Sequence, residues 1–339
     1  MPVLHALLAA LTFGLSAPLA KALLGQVPPL LTAGLLYLGA GLCLTVARAR
    51  GPSGGRRWTA RDRWVLVGVV MSGGLVAPPL LMWGLANSPA SSAALLLNLE
   101  AVVTTLLAGA VFGERLGGRV WAAAVLMGLG GMALAWTGGL ALSPASLAVI
   151  GACVFWSIDN NLTSLISDVD ATAVAQVKGL VAGVVNVGLA LLMGASFPPT
   201  PYVLGSLALG AVGYGLSLVL FILAMRRLGA ARATSYFALA PFFGAAGAFV
   251  VLREPIGGAV IVAAVAMAGG VALLLSEQHS HVHRHAAGTH THRHVHDEHH
   301  QHGHEGWEGA EPHVHPHPTG PLDHAHPHRP DLHHDHPHP

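Results

Sequence analysis

Uninterrupted apolar runs constrain this chain more than any other sequence feature. About 20 apolar residues in an α-helix cross the hydrocarbon core of a bilayer, and ten runs of that length recur here between short polar breaks. The runs are long and do not alternate, which argues against a membrane β-barrel. The sequence therefore predicts an all-α integral membrane protein with ten transmembrane helices. The predicted spans are 3–24, 28–49, 64–86, 90–112, 118–137, 145–166, 171–194, 202–224, 232–252 and 256–276.

Composition changes abruptly near Glu277. Of the 23 histidines, 22 lie from His279 onward, and nine of the 16 acidic residues lie in the same C-terminal segment. The basic residues of the apolar body lie in short loops and form no long basic face, which argues against nucleic-acid binding. The only cysteines, Cys43 and Cys153, lie inside apolar runs, so a disulfide scaffold is excluded.

The distribution of arginine predicts the orientation of the spans. Arginines are concentrated in the alternate loops 48–63, 113–119 and 225–232. Basic loops remain on the cytoplasmic side of a membrane. We therefore expect a multi-pass protein of the inner (plasma) membrane with both termini in the cytoplasm.

The chain contains an internal repeat. Residues 113–118 align with residues 253–258 at an offset of 140 residues, which places Glu114 opposite Glu254 and matches a Gly-Gly pair in each segment. Each half then has five spans, and because five is odd the halves have opposite topology. Inverted repeats of this kind build transporters, whose substrate path lies at the repeat interface. The predicted organisation is a first five-helix repeat at 1–138, a second at 144–276 and a disordered tail at 277–339.

Several motifs resemble the EamA family of the drug/metabolite transporter superfamily. Residues 99–116, which end in Gly-Glu-Arg-Leu, resemble the family's fourth helix, and residues 240–255 resemble its ninth. Residues 11–14 resemble its first helix. The resemblance covers residues 3–276. It implies a secondary transporter that moves a small metabolite or drug-like solute by alternating access.

Three ionisable residues lie inside predicted spans: Glu100, Asp159 and Lys178. Placing such a residue at the centre of a membrane helix costs about 2.5–3.5 kcal/mol of insertion free energy, so these residues normally face a cavity or a partner. Asp159 and Lys178 lie at similar depths on either side of the turn between the sixth and seventh spans, so we expect them to pair. That pair either fixes the hairpin or takes part in transport. Glu100 has no evident local partner and is either a protonatable coupling site or a neutral structural residue.

Nearby amides extend this polar region, and they either line a path or bond neighbouring helices to each other. The predicted solute and coupling path comprises Glu100, Asn98, Asp159, Asn160, Asn161 and Lys178.

The histidine-rich segment 277–339 is of low complexity, and its prolines and charges predict disorder. Closely spaced imidazoles bind Zn, Ni, Co and Cu, although a passive solubilising role is the alternative. The predicted metal-ligating residues are His281, His283, His285, His290, His292, His294, His296, His313, His315, His317, His324, His326, His328, His333, His334, His336 and His338.

The chain contains no phosphate-binding loop, no HExxH sequence and no paired cysteine site, so we predict neither an enzyme nor a required cofactor. The main hypothesis is a secondary transporter with a metal-responsive cytoplasmic tail. One alternative is a transporter of divalent Ni, Co or Zn, and another is a membrane-anchored metal buffer or sensor. The predicted partners are the lipid bilayer, a small solute and divalent metal ions, with a homodimer left open.

Overall fold

The computed structural model describes residues 2–50, 58–112, 116–138, 141–166 and 169–276, and four short segments of the tail. The chain divides into two compact units, Met1–Ser276 and Glu277–Pro339. Within the described residues, ten helices are long and apolar enough to cross a membrane, which confirms the predicted fold class.

We number these spans TM1 to TM10. They are Pro2–Leu24 (TM1); Pro29–Arg50 (TM2); Ala60–Val69 and Ala77–Ala86, joined by the π-helical Val70–Val76 (TM3); Ala90–Leu96 and Leu99–Phe112 (TM4); Gly118–Ala135 (TM5); Pro144–Ser164 (TM6); Ala171–Leu192 (TM7); Thr200–Gly210 and Ser217–Leu228, joined by the π-helical Ala211–Leu216 (TM8); Ala230–Phe237 and Ala240–Val251 (TM9); and Gly258–Leu275 (TM10).

TM3 begins before its predicted start at residue 64 because a capping box forms there. The Thr59 side chain accepts a hydrogen bond from the Asp62 backbone N–H at 3.3 Å, and the Thr59 N–H donates to Asp62 Oδ2 at 2.6 Å. This reciprocal arrangement satisfies backbone donors that the first helical turn leaves open. The polar residues 61–63 therefore extend the apolar helix towards the membrane surface.

Irregular segments occur at matching places in the two halves. The π-helical segments of TM3 and TM8 begin at Val70 and Ala211, 141 residues apart, and the breaks in TM4 and TM9 follow Leu96 and Phe237, also 141 residues apart. Such interruptions depart from ordinary helix geometry and often mark functional sites. Their common spacing confirms the predicted repeat independently of the aligned Glu and Gly residues.

Packing between the halves follows the same symmetry. TM2 packs along TM7, and TM5 packs along TM10. TM1 of the first half packs against TM8 and TM9, and TM6 of the second half packs against the equivalent TM3 and TM4. Glycine permits the closest approach: a Cβ atom on Gly183 would lie 2.6 Å from the Leu38 nitrogen.

Short strands occur outside the ten spans, where the sequence analysis predicts none. Trp136–Gly138 (β1) pairs with Ala141–Leu142 (β2) between the two halves. Within the tail unit, His279–His285 (β3) pairs with Leu322–His328 (β6), and Gly288–His294 (β4) pairs with His313–Thr319 (β5), both antiparallel. Histidine at alternate positions has the two-residue period of an extended strand. The other tail residues lie outside the described part, so disorder of the whole tail stays a prediction.

Candidate functional site

The π-helical segment of TM3 forms the centre of a polar cluster. The Tyr37 hydroxyl donates to the carbonyl oxygen of Gly73 at 2.7 Å, and Trp156 Nε1 donates to the same oxygen at 3.1 Å. Asn186 Nδ2 donates to the carbonyl oxygen of Gly74 at 3.0 Å. Backbone groups released by an irregular helix need such partners inside a membrane. Side chains from TM2, TM6 and TM7 therefore converge on TM3.

Asp159 and Lys178 form the predicted ion pair beside this cluster. The Lys178 Nζ atom lies 2.7 Å from Asp159 Oδ2, and the Asp159 side chain is 3% exposed. Thr163 Oγ1 donates to the second carboxylate oxygen at 3.4 Å. Gly73 leaves the space for this carboxylate, since a Cβ atom there would lie 2.1 Å from Asp159 Oδ2. The prediction that the two charges pair is confirmed.

Glu100 lies in the first turn of the second helical segment of TM4, just after the break. Asn160 Nδ2 of TM6 donates to Glu100 Oε1 at 2.8 Å, and Ser157 Oγ donates to the Glu100 carbonyl oxygen at 3.1 Å. The sequence analysis found no local partner for Glu100, and the partner in the structure is distant in sequence, supplied by the packing of TM6 on TM4. A carboxylate in the first turn of a helix also lies at the positive end of the helix dipole.

Asn98 and Asn161 lie apart from the charged groups and join backbone segments. Asn98 is buried, and its Nδ2 donates to the Leu95 carbonyl oxygen at 3.0 Å across the break in TM4. Asn161 Nδ2 donates to the carbonyl oxygens of Thr104 and Ser157, at 3.1 and 2.9 Å. The Asn161–Thr104 contact joins TM6 to TM4 and favours bonding between neighbouring helices, whereas the Asn98 contact stays within TM4. A path role for these residues stays a prediction.

A small cavity, with room for about one water molecule, lies beside the breaks in TM4 and TM9. Both halves line it, with side chains that are apolar or aromatic apart from the hydroxyls of Ser16 and Tyr214. The Phe13 and Tyr214 rings lie 5.5 Å apart, and the Tyr214 and Tyr37 rings 6.0 Å apart. These rings connect the cavity to the polar cluster on TM3. The lining residues are Phe13, Gly14, Ser16, Ala17, Leu81, Ala94, Leu97, Tyr214, Ala240 and Pro241.

Sequence reasoning did not select the two tyrosines. Tyr37 and Tyr214 lie within apolar runs of TM2 and TM8, where an aromatic residue is most simply read as packing. Their hydroxyl groups could have indicated a role in a polar site, because a buried tyrosine hydroxyl usually finds a hydrogen-bond partner. The alignment at an offset of about 140 residues does not relate them to each other, so the repeat gave no indication of their proximity.

Two segments of the chain, residues 1–136 and 143–276, match the EamA-like transporter family. The chain belongs to that family. An uncharacterized transporter from Methanothermobacter thermautotrophicus (strain Delta H) is 29% identical to this EamA-like transporter over 289 residues, which is 78% of this chain and 83% of the relative. One solved crystal structure shares the fold, with a TM-score of 0.60 and 24% identity over 80% of this chain and 95% of the other.

These likenesses establish a multi-pass membrane transporter without specifying its substrate. The EamA-like transporter has no group of three or more His, Cys, Asp and Glu side chains placed to hold a metal ion within the part of the chain that was searched. The predicted histidine ligands fall outside that part: His296, His333, His334, His336 and His338 are not described, and of the other twelve only the backbone is described. The metal site stays a prediction.

Proposed function

We propose that this EamA-like transporter is a secondary transporter that moves a small metabolite or drug-like solute by alternating access between its two halves. The observation that carries the proposal is the pair of matching breaks in TM4 and TM9, which meet where both halves line a water-sized cavity. Secondary transporters bind their solutes near the bilayer midplane, beside discontinuous helices related by an inverted repeat. A movement of either half would change the access to such a cavity.

A solute would enter this cavity only when the halves separate, and the lining then favours a solute with an apolar or aromatic part. Phe13, Tyr214 and Pro241 provide broad apolar surfaces, and the Ser16 and Tyr214 hydroxyls provide hydrogen-bonding groups. Binding pockets of this composition take up the apolar part of a ligand and orient it with a few polar contacts. The charged residues Glu100, Asp159 and Lys178 do not line the cavity. We therefore assign them to coupling rather than to the binding of a metal ion as the solute.

Glu100 is the residue that we propose for coupling. Its carboxyl group belongs to the first half, whereas its donor Asn160 belongs to the second. A change in the spacing of TM4 and TM6 would therefore alter the stability of the charged carboxylate and allow it to bind or release a proton. The Asp159–Lys178 pair lies within the second half and would maintain the TM6–TM7 hairpin during this movement.

Reconstitution in vesicles tests this role. After a growth screen against metals, amino acids and drugs has identified a solute, we expect Glu100→Gln to lower gradient-driven flux at least about tenfold, the effect of losing one interaction with a charged group. Membrane abundance should stay near that of the wild type. The control is Thr105→Val, since the Thr105 hydroxyl bonds only to Ala101 of its own helix in the structure. Normal gradient-driven flux in Glu100→Gln would contradict the coupling role.

We further propose that both termini are cytoplasmic and that the tail makes the transporter responsive to Zn, Ni, Co or Cu. The support is compositional, because alternating histidines with nearby Asp and Glu residues form multidentate ligands. Accessibility of Met1 and of the tail to impermeant reagents, in vesicles of known orientation, tests the location. Solute flux measured with and without each metal tests the response.

A further inference from the structure

We propose that Glu254 and Lys21 form a gate that closes the membrane end carrying the TM3–TM4 turn. The proposal rests on the alternating-access function proposed above and concerns the regulation of that same cavity. Glu254 follows TM9, Lys21 lies in the last turn of TM1, and the turn itself comprises residues 87–89. All three therefore lie at the same end of the bundle.

Glu254 joins the two halves directly. Its Oε1 atom accepts a hydrogen bond from the Ala90 N–H at 2.6 Å. Its Oε2 atom accepts one from the Ser91 N–H at 3.0 Å and one from the Ser91 hydroxyl at 2.6 Å. Charge-assisted contacts of this kind are stronger than neutral hydrogen bonds. A single carboxylate of the second half therefore holds the start of TM4, which belongs to the first.

Lys21 holds the other side of the turn. Its ammonium group donates to the carbonyl oxygens of Leu85, Ala86 and Ser88, at 2.7, 2.8 and 3.0 Å. Leu85 and Ala86 end TM3, where helix geometry leaves acceptors open and favours a cation, and Ser88 belongs to the turn. TM1 packs against TM8 and TM9, so this contact also ties the TM3–TM4 turn to a helix that packs on the second half.

TM4 and TM9 pack tightly against each other next to these contacts. All seven residues of Ala90–Leu96 are buried, and this segment packs on Ala240–Val251 of TM9. Gly244 is so close to TM4 that a Cβ atom there would lie 2.9 Å from the Cβ of Ala94, a residue of the cavity lining. The later segments of the same helices have other partners: Leu99–Phe112 packs on TM6, and Ala230–Phe237 packs on TM1 and TM8.

Access to the cavity from this end consequently requires the halves to separate where Glu254 joins them, next to the turn that Lys21 holds. A purely structural cap would stabilise the same helix ends but would not alter access to the cavity. The two possibilities differ in the rate at which a reagent reaches the cavity from the TM3–TM4 side.

Thiol labelling measures that rate without any transported solute. In a background with Cys43 and Cys153 changed to Ser, Ala17→Cys reports on the cavity, and Asn87→Cys identifies the membrane side of the TM3–TM4 turn because Asn87 is exposed. An impermeant methanethiosulfonate is applied to vesicles of either orientation. In the Ala17→Cys protein we expect slow labelling from the Asn87 side. Glu254→Gln should accelerate it about tenfold, because losing one interaction with a charged group shifts a two-state equilibrium by that factor.

Two further variants make the result decisive. Lys21→Met should also accelerate labelling, and Ser91→Ala should give a smaller increase because it removes one of the three contacts of Glu254 and leaves the others. Gln26→Ala is the matched control, since Gln26 is an exposed polar residue of the turn after TM1. Each variant must elute as a monodisperse peak in size-exclusion chromatography, and Ser91→Ala keeps the test valid if Glu254→Gln does not fold.

Unchanged labelling from the Asn87 side in folded Glu254→Gln and Ser91→Ala would overturn the gate. Accelerated labelling in the Gln26→Ala control to the same extent would also overturn it, because the effect would then be unspecific. The two proposals can fail separately. If the wild-type protein moves no solute in the growth screen but the variants change the rate of Ala17→Cys labelling as expected, the proposed transport function is contradicted and the gate is supported.

Discussion

At the scale of single residues, the buried ion pair is the part of the site that sequence reasoning located best. Asp159 and Lys178 were expected to meet because both lie at similar depths beside one turn, and the structure places their charged atoms 2.7 Å apart. Local helix geometry was sufficient for this prediction. Glu100 shows the limit of the same reasoning, because its donor Asn160 is 60 residues away and no periodicity in the sequence links TM4 with TM6.

Neutralising one member of the Asp159–Lys178 pair should destabilise the folded protein more than neutralising both. Asp159→Asn or Lys178→Met leaves a buried charge without its partner, a change that typically costs about 3–5 kcal/mol, whereas the double variant removes both charges. Thermal unfolding in detergent and membrane abundance measure the effect. If the destabilisation of the double variant equals the sum of the two single effects, the pair makes no net contribution and the prediction is wrong.

At the scale of elements, the sequence carries a local signal for only two of the four irregular helices. Ten apolar runs predict ten helices, but hydropathy does not distinguish a straight span from one with a π-helical segment, and Val70–Val76 and Ala211–Leu216 are both apolar or small. Pro241 lacks the N–H that would bond to Phe237, and Pro78 lacks the one that would bond to Gly74, which accounts for the TM9 break and the TM3 interruption. No proline lies near the irregular parts of TM4 and TM8, so packing in three dimensions determines those, including the break before Glu100.

The π-helical segment of TM3 gives a prediction of its own. Gly73→Ala should destabilise the protein by about 1–3 kcal/mol, the usual cost of overpacking, because the new Cβ atom would lie 2.1 Å from Asp159 Oδ2. Gly128→Ala in TM5 is the matched control, since a Cβ atom there meets nothing within 4 Å. The measurement is the midpoint of thermal unfolding in the same detergent. Equal midpoints for the two variants would show that the carboxylate readily moves away.

At the scale of the whole molecule, the repeat and the asymmetry within it together organise the protein. The interruptions of TM3, TM4, TM8 and TM9 recur at a common spacing, so each half is interrupted at the same places. The charged groups inside the spans are not repeated: at the 141-residue spacing of the helix breaks, the position of Glu100 corresponds to Pro241. The coupling proposed above would use this asymmetry, because a gradient can drive a protein whose two conformations differ in their affinity for a proton.

The tail provides the last prediction at this scale. It forms a unit separate from Met1–Ser276, so deletion of residues 279–339 should leave the ten spans folded, with an unfolding midpoint close to that of the full chain. The deleted protein should lose the binding of several Ni or Zn ions per chain. In the full chain this binding should weaken as pH falls below about 6.5, because protonated imidazole cannot ligate a metal.

Calorimetric titration with NiCl2 at pH 7.5 and pH 5.5 measures the binding, and replacement of the tail histidines by Ser is the control for chain length. Metal tolerance of cells that express equal amounts of the full and deleted proteins then separates the remaining alternatives. A change in tolerance with unaltered solute flux indicates a responsive tail, and no change indicates a passive one. If the tail tethered to an unrelated membrane helix restores the entire cellular phenotype, the protein acts as a metal buffer and transport through the spans is not its physiological role.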